Sequence, residues 1–258
     1  MSEQLLLYEQ VDSVAVLTLN NPRRRNALSG PMLSALKKCL ENIKGDRSVR
    51  VVVLRASGPV FSSGHDLREF TEGDDEDHAG TFAACTEVME AIRLLPQPVI
   101  AQVQGLATAA GCQMVATCDL AVASKEAAFA TPGVNIGLFC TTPGVAVSRA
   151  VPQKKAMEML LTGTPISAEE ALASGLVNQV VPHEELEDRT MALAGRVASA
   201  SAHILALGKD AFYRQIELDR PEAYEMAEKV MIENLRAQDA REGIDAFLTK
   251  RQPAWKHR

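Results

Sequence analysis

The chain holds 258 residues, 47% hydrophobic and 23% charged, with a formal net charge of −6. That length and composition suit one large domain or a domain with an appendage. The acidic balance and scattered Lys and Arg argue against nucleic acid, which needs a basic face. No apolar run approaches the ~20 residues that span a bilayer, so no membrane partner is expected. The opening "MSEQLLLYEQ" lacks the basic flank and cleavage site of a secretory signal and the Arg-rich pattern of a transit peptide. Five cysteines without a C-x-x-C pair read as free thiols, with no metal site, in a cytoplasmic protein.

In chain order, residues 5–11 and 14–20 read as strands joined by the short gap "DS", a hairpin. Pro31 opens a helix that sets Met32, Leu33, Leu36, Cys39, Leu40 and Ile43 on one face. "VRVVVLRAS" is a buried strand by its β-branched run. "PVFSSGHDLREF" is a turn entering a helix, its glycine allowing the bend and Asp66 bonding helix-start amides. The acidic run at 72–78 reads as a solvated, mobile loop. "FAACTEVMEAIRLL" is helical, and "PVIAQVQG" and "DLAVAS" are short strands. From about residue 155 the pattern turns mostly helical, with glycines closing two helices. The whole suggests an α/β core with a helical appendage and no strict repeat.

Two stretches, "SSGHDL" and "TAAGCQ", place small residues before expected helix N-termini, where unpaired amides point outward. Two such amides aimed at one oxygen make an oxyanion hole. A small-residue turn at a helix start is far more often structural. Cys112 and Cys140 read as small buried hydrophobes, Asp66 and Glu69 as capping or surface groups. No Ser-His-Asp order, metalloprotease motif or phosphate loop is present.

The ordered motifs "LNNPRRRNALS", "VVVLRASGPVFSSGHDL", "QPVIAQVQGLATAAGCQMVATCDLAVAS", "FATPGVNIGLFCTTPG", "MLLTGTPISAEEALASGLVNQVV" and "FLTKRQPAW" resemble the enoyl-CoA hydratase/isomerase (crotonase) family. "SSGHDL", "ATAAGCQ" and "ATPGVNIGLFC" are most similar to its enoyl-CoA hydratase domain-containing protein 3 group. The resemblance implies an α/β spiral of repeated ββα units over 1–195 and a C-terminal helical region over 196–258 that packs trimers, often paired into hexamers. It implies an acyl-CoA thioester as ligand, with coenzyme A as part of it, no tightly bound cofactor, and a place in fatty-acid metabolism.

By motif position, the backbone amides of His65 and Ala110 would hold the oxygen of a thioester enolate. Arg25, Ala27 and Leu28 would lie by the CoA adenine and phosphates, and the Ser63 carbonyl by the adenine amine. Phe247 and Lys250 would reach a neighbouring subunit's CoA. The two glutamates with which family hydratases handle water and the α-proton correspond here to Gln113 and Gly133. An amide has no titratable proton and a glycine has no side chain, so efficient hydration is not expected; such groups carry on the order of 10²–10⁴ in rate each.

Three readings stay open: a thioester-binding protein with little hydratase activity, an enzyme with relocated chemistry, and a structural or interaction protein. For the second, Thr131, Asn135, Cys140, Thr141 and Thr142 come from the segment that supplies alternative groups in other branches. Dihydroxynaphthoyl-CoA synthases also carry Gly at the position of Gly133, in a Gln-Thr-Gly context absent here. The His65 imidazole either reaches the ligand or a bound water, with a pKa of ~6.5 suited to proton transfer, or points at solvent.

Overall fold

The computed structural model describes residues 4–71 and 73–257. Strands β1 (Leu6–Val11) and β2 (Val14–Leu19) form the expected antiparallel hairpin. Helix α1 (Gly30–Lys44) buries Met32, Leu33, Leu36, Leu40 and Ile43, with Cys39 half-buried beside them. Three ββα turns follow. The first is β3 (Val51–Ala56), β4 (Val60–Ser62) and α2 (Asp75–Leu94). The second is β5 (Val99–Val103), β6 (Leu106–Thr108) and α3 (Ala110–Thr117). The third is β7 (Leu120–Ser124), β8 (Ala128–Ala130) and α4 (Thr141–Ala150).

The first strand of each turn enters one sheet and the second strand another. The larger sheet runs β1-β2-β3-β5-β7-β10 and the smaller β4-β6-β8-β9, so the chain winds between the two as a spiral. The remaining elements are α5 (Gln153–Thr162), β9 (Ile166–Ser167), α6 (Ala168–Ser174), β10 (Gln179–Val181), α7 (Leu186–Ala198), α8 (Ala202–Gln215), α9 (Arg220–Arg236) and α10 (Gln238–Leu248).

The middle strands of the larger sheet are buried on both faces, which explains the β-branched run of β3. Val52 and Leu54 join Leu17, Leu36 and Met89 in the main core. Val51 and Val53, pointing the other way, pack with Val16, Ile100 and Val122 under Leu186, Ala194 and Ala198 of α7.

Two local expectations change. The acidic run is not a mobile loop where it is described. Asp74 caps α2 in a reciprocal capping box with Asp77, and Asp75, Glu76 and Asp77 fill the first turn, where the positive end of the helix dipole favours them. Glu72 lies outside the described residues. After "SSGH" the chain makes only a 3₁₀ turn, Leu67–Phe70, although Asp66 does cap it, accepting from the Arg68 amide.

Candidate functional site

The second strands of the three turns place the candidate residues. β4, β6 and β8 are neighbours and parallel, with Val60 beside Leu106, and Thr108 beside Ala130. Their C-terminal ends therefore sit side by side, with adjacent strands ~4.8 Å apart. His65 follows β4, Ala110 follows β6 and Gly133 follows β8. The topology thus collects three positions scattered over the sequence at one edge of the small sheet, outside the strand carboxyl ends, where α/β folds place ligands.

Missing side chains let the first two loops touch. A β-carbon on Gly64 would lie 2.9 Å from the Ala109 Cβ and 3.1 Å from the Ala110 nitrogen, and Gly64 has φ +83°. One on Gly111 would lie 2.5 Å from the Ser62 carbonyl oxygen. The Ala109 amide donates to the Ala130 carbonyl at 2.9 Å, tying the second loop to the third. Among the described residues, neither the His65 amide nor the Ala110 amide has a partner in the chain. Ala110 is the first residue of α3, where such donors are orphaned by helix geometry.

The Arg25–Leu28 segment hooks onto the same edge. Ser63 donates its amide to the Arg25 carbonyl at 3.0 Å, and Leu28 donates to the Gly64 carbonyl at 2.8 Å. Ala27 and Leu28 are buried, whereas Arg25 is exposed and left-handed, with φ 51°. The residue that holds this hook is Asn26, which sequence reasoning missed. It is fully buried, also left-handed, accepts from the Asn21 amide at 2.8 Å and donates to the Ser57 and Val60 carbonyls, each at 2.8 Å. Its backbone carbonyl accepts from the Ser62 hydroxyl at 2.9 Å. Asparagine's tolerance of the left-handed region was the available signal.

Gln113 lies on α3, one turn beyond Ala110; it is 6% exposed, and its Oε1 has no partner. It also lines a groove of about 1030 Å³ with Met89, Thr142 and Phe212. Gly133 opens a 3₁₀ turn (Pro132–Ile136) that folds back on itself. A β-carbon there would lie 2.9 Å from both the Cys140 sulfur and the Leu138 carbonyl oxygen, and the Gly133 amide donates to that sulfur at 3.3 Å. Any larger side chain at 133 requires the 138–140 backbone to move. Thr131 is fully buried, and its hydroxyl is unpartnered. Cys112 and Cys140 are buried as expected. Burial pushes the Cys112 thiol up to about 12 and raises that of Cys140, against the pull of the Gly133 amide.

The His65 side chain does not point at solvent. Its ring meets Phe70 edge-on at 5.7 Å and Phe82 at 5.5 Å, while those two rings stack on each other at 5.1 Å. His78 also contacts Phe70, at 5.7 Å between ring centres. Both imidazole nitrogens are buried and neither makes a well-formed hydrogen bond, the Leu28 backbone being a weak acceptor beside the ring. Burial lowers the His65 pKa below its ordinary value, with the Leu28 backbone acting weakly the other way. Phe247 and Lys250 are not brought to this edge by any hydrogen bond or ring contact within the chain. Phe247 is 83% exposed at the end of α10, beside an apolar groove of about 480 Å³ between α8, α9 and α10.

Comparison with known proteins bears on the whole chain. The family model for enoyl-CoA hydratase/isomerase matches residues 9–258. The mitochondrial enoyl-CoA hydratase domain-containing protein 3 of Mus musculus is 53% identical over 96% of this chain and 83% of its own length. Its Homo sapiens counterpart is 52% identical over 96% and 82%. A solved structure of an enoyl-CoA hydratase from Mycobacterium smegmatis superposes with a TM-score of 0.96 at 50% identity, covering 98% of this chain and 99% of that one. The human enoyl Coenzyme A hydratase domain-containing protein 3 gives 0.95 at 50% identity, covering 98% and 100%. These relatives overturn the expectation of a cytoplasmic protein, because the mouse and human proteins are mitochondrial. Free cysteines alone do not distinguish the cytoplasm from an organelle. The spiral of ββα turns, the loops at its small-sheet edge and these likenesses together establish that the chain belongs to the enoyl-CoA hydratase/isomerase family.

Proposed function

We propose that the chain binds acyl-CoA thioesters and polarises the thioester carbonyl with the amides of His65 and Ala110, without efficient hydration. The observation that carries this reading is the pair of unpartnered amides on loops held in contact through Gly64 and Gly111. Preorganised donors of this kind stabilise charge developing on oxygen, and the device needs no particular side chain. The CoA moiety would lie along the hook, with Arg25 free for phosphate, Ala27 and Leu28 beneath the adenine and the Ser63 carbonyl toward its amine. No tightly bound cofactor is invoked.

Water addition needs a group that activates water and one that manages the α-proton. Gln113 can orient a water but cannot take its proton. At 133 the chain leaves no room for a carboxylate, because the Cys140 sulfur and Leu138 carbonyl occupy the space a side chain would enter. The exposed Phe212, Tyr224, Met231, Ile232, Leu235 and Phe247 support assembly through the C-terminal helices as a trimer or hexamer, in which Phe247 and Lys250 would approach a neighbour's CoA. Fatty-acid metabolism is the setting such a ligand implies.

The test is to incubate enoyl-, acyl- and malonyl-type CoA thioesters with the protein and with Gln113→Glu, following each by chromatography with mass detection. The expected result is little water addition by the parent chain and a gain of at least ~10-fold in the variant, whose carboxylate restores one proton-handling group. Hydration by the parent chain matching or exceeding that of the variant contradicts the reading. Retention of no thioester at all favours a structural or interaction role instead.

A further inference from the structure

We infer that the His65 imidazole, and not only its backbone amide, is a catalytic residue of this site: the base that removes and returns the α-proton of a bound acyl thioester. The inference rests on the proposed thioester cradle and adds to it the group that carries the proton.

The ring belongs to the residue whose amide is one of the two free donors, so the imidazole and the donor are carried on one Cα. Its surroundings then fix its chemistry. Phe70 and Phe82, stacked on each other, meet the ring edge-on from the 3₁₀ turn and from α2, which orients it and excludes water. Both ring nitrogens are buried without a well-formed hydrogen bond, the Leu28 backbone acting on the ring only as a weak acceptor. A buried polar atom left unpaired is costly, and such atoms are retained where a ligand or reaction uses them. Among the described residues, His78 of the same ring cluster also has an orphaned nitrogen, and Gln113 and Thr131, which follow β6 and β8, have orphaned oxygens.

Elimination points the same way. Gln113 carries no titratable proton and Gly133 no side chain. Burial raises the thiols of Cys112 and Cys140. The Asp66 carboxylate is taken by Arg68 at 2.6 and 2.8 Å, with Arg24 at 3.9 Å, and the Glu69 carboxylate by the Gly30 amide at 3.1 Å. His78, the other titratable group of the ring cluster, contacts Phe70 from α2 and carries no amide of the cradle. The step balances without a co-reactant. The imidazole lone pair takes the α-proton, the C–H electrons become the enolate double bond, and the carbonyl π pair moves onto the oxygen held by the two amides. Return of the proton restores the thioester; in D₂O a deuteron from the exchanged ring enters in its place.

The test is α-hydrogen exchange of acetyl-, butanoyl- and octanoyl-CoA in D₂O, read by mass spectrometry, with affinity measured by titration calorimetry. For a thioester that binds, the protein is expected to catalyse exchange with a rate that rises with pH and levels off at a pKa below 6.5. His65→Gln should lose exchange on the order of 100-fold while its Kd moves less than about threefold, and added imidazole should restore exchange to His65→Ala. Binding without exchange in the parent protein overturns the inference, as does a parallel fall of exchange and affinity in His65→Gln; in either case thioester binding still stands. Failure of the parent protein to bind any of the three overturns the cradle itself and this inference with it.

Discussion

Ala109 carries the clearest residue-level strain at the site. It sits at φ 50° and ψ −119°, a region that costs an L-residue free energy and that glycine enters without penalty. The loop tolerates the methyl there, held by the Ala109 amide on the Ala130 carbonyl and by the close approach of Gly64. Ala109→Gly is therefore predicted to stabilise the chain by about 1 kcal/mol, the relief of strain exceeding the added unfolded-state entropy. Urea denaturation with an unchanged m-value checks this; destabilisation would mean the methyl packs better than the strain costs. The motifs around Ala109 were legible in the sequence because small residues there are dictated by close backbone approach. The Phe70–Phe82 stack was not legible. Phe82 read as the first residue of a helix and Phe70 as the end of a turn, and no local pattern brings two rings twelve positions apart onto one histidine.

Among the elements, α8 depends most on a single polar anchor. Lys209 donates to Asp119 at 2.7 Å and to the carbonyls of Ile92 and Gln97, while the Tyr213 hydroxyl donates to Asp119 at 2.9 Å. The Asp119 carboxylate also takes the Val99 amide, so one aspartate ties β5 to the helical appendage. Both ion-pair side chains are mostly buried, at 8% and 15% exposure, and α8 itself has no buried residue to replace the anchor. Lys209→Met should cost about 3 kcal/mol by leaving the carboxylate without its cation, and Asp119→Leu added to it should recover part of that loss. Equal stability of parent and single variant in urea would contradict the anchoring role. The long elements were readable in the sequence for ordinary reasons: α1 from its period, β3 from its β-branched run, α5 and α6 from closing glycines. The small sheet was not, because β4, β6 and β8 are 3 residues each and pair with one another, and β8 with the two-residue β9, across long sequence separations. The acidic start of α2 was misread because charge density alone cannot separate a solvated loop from a capped helix N-terminus.

For the whole molecule, the C-terminal strap links the termination of the chain to its acid stability. The Asp239 carboxylate, buried beneath the strap, accepts from the Ser201 hydroxyl and from the amides of Lys256 and His257 at 2.5, 2.6 and 2.7 Å. The His257 Nδ1 accepts from the Ala202 amide at 3.1 Å, so that ring is neutral when the strap is closed. Burial opposes the charged form of Asp239, but the three hydrogen bonds outweigh it and hold its pKa below the ordinary carboxylate value; burial also lowers that of His257. Both groups have folded pKa values below their unfolded ones, so each contributes stability above the unfolded value that is lost as pH falls through the folded one. The strap is predicted to loosen on acidification, beginning below pH ~6.5 and finishing below ~3.9. The single tryptophan, Trp255, which donates to the Ser199 carbonyl at 2.9 Å, reports it by fluorescence; loosening on raising the pH instead would contradict the assignment.

The central claim concerns the two amides at the edge of the small sheet, and the infrared stretch of a ¹³C-labelled thioester carbonyl, recorded on butanoyl-CoA free and bound, tests it most directly. Two N–H donors on the carbonyl oxygen weaken its double bond, so the account predicts a clear shift to lower frequency on binding. The shift should shrink in Gly64→Ala, where the new methyl would have to share space with Ala109 and the Ala110 amide. A bound thioester whose carbonyl stretch stays at its value in water would contradict it.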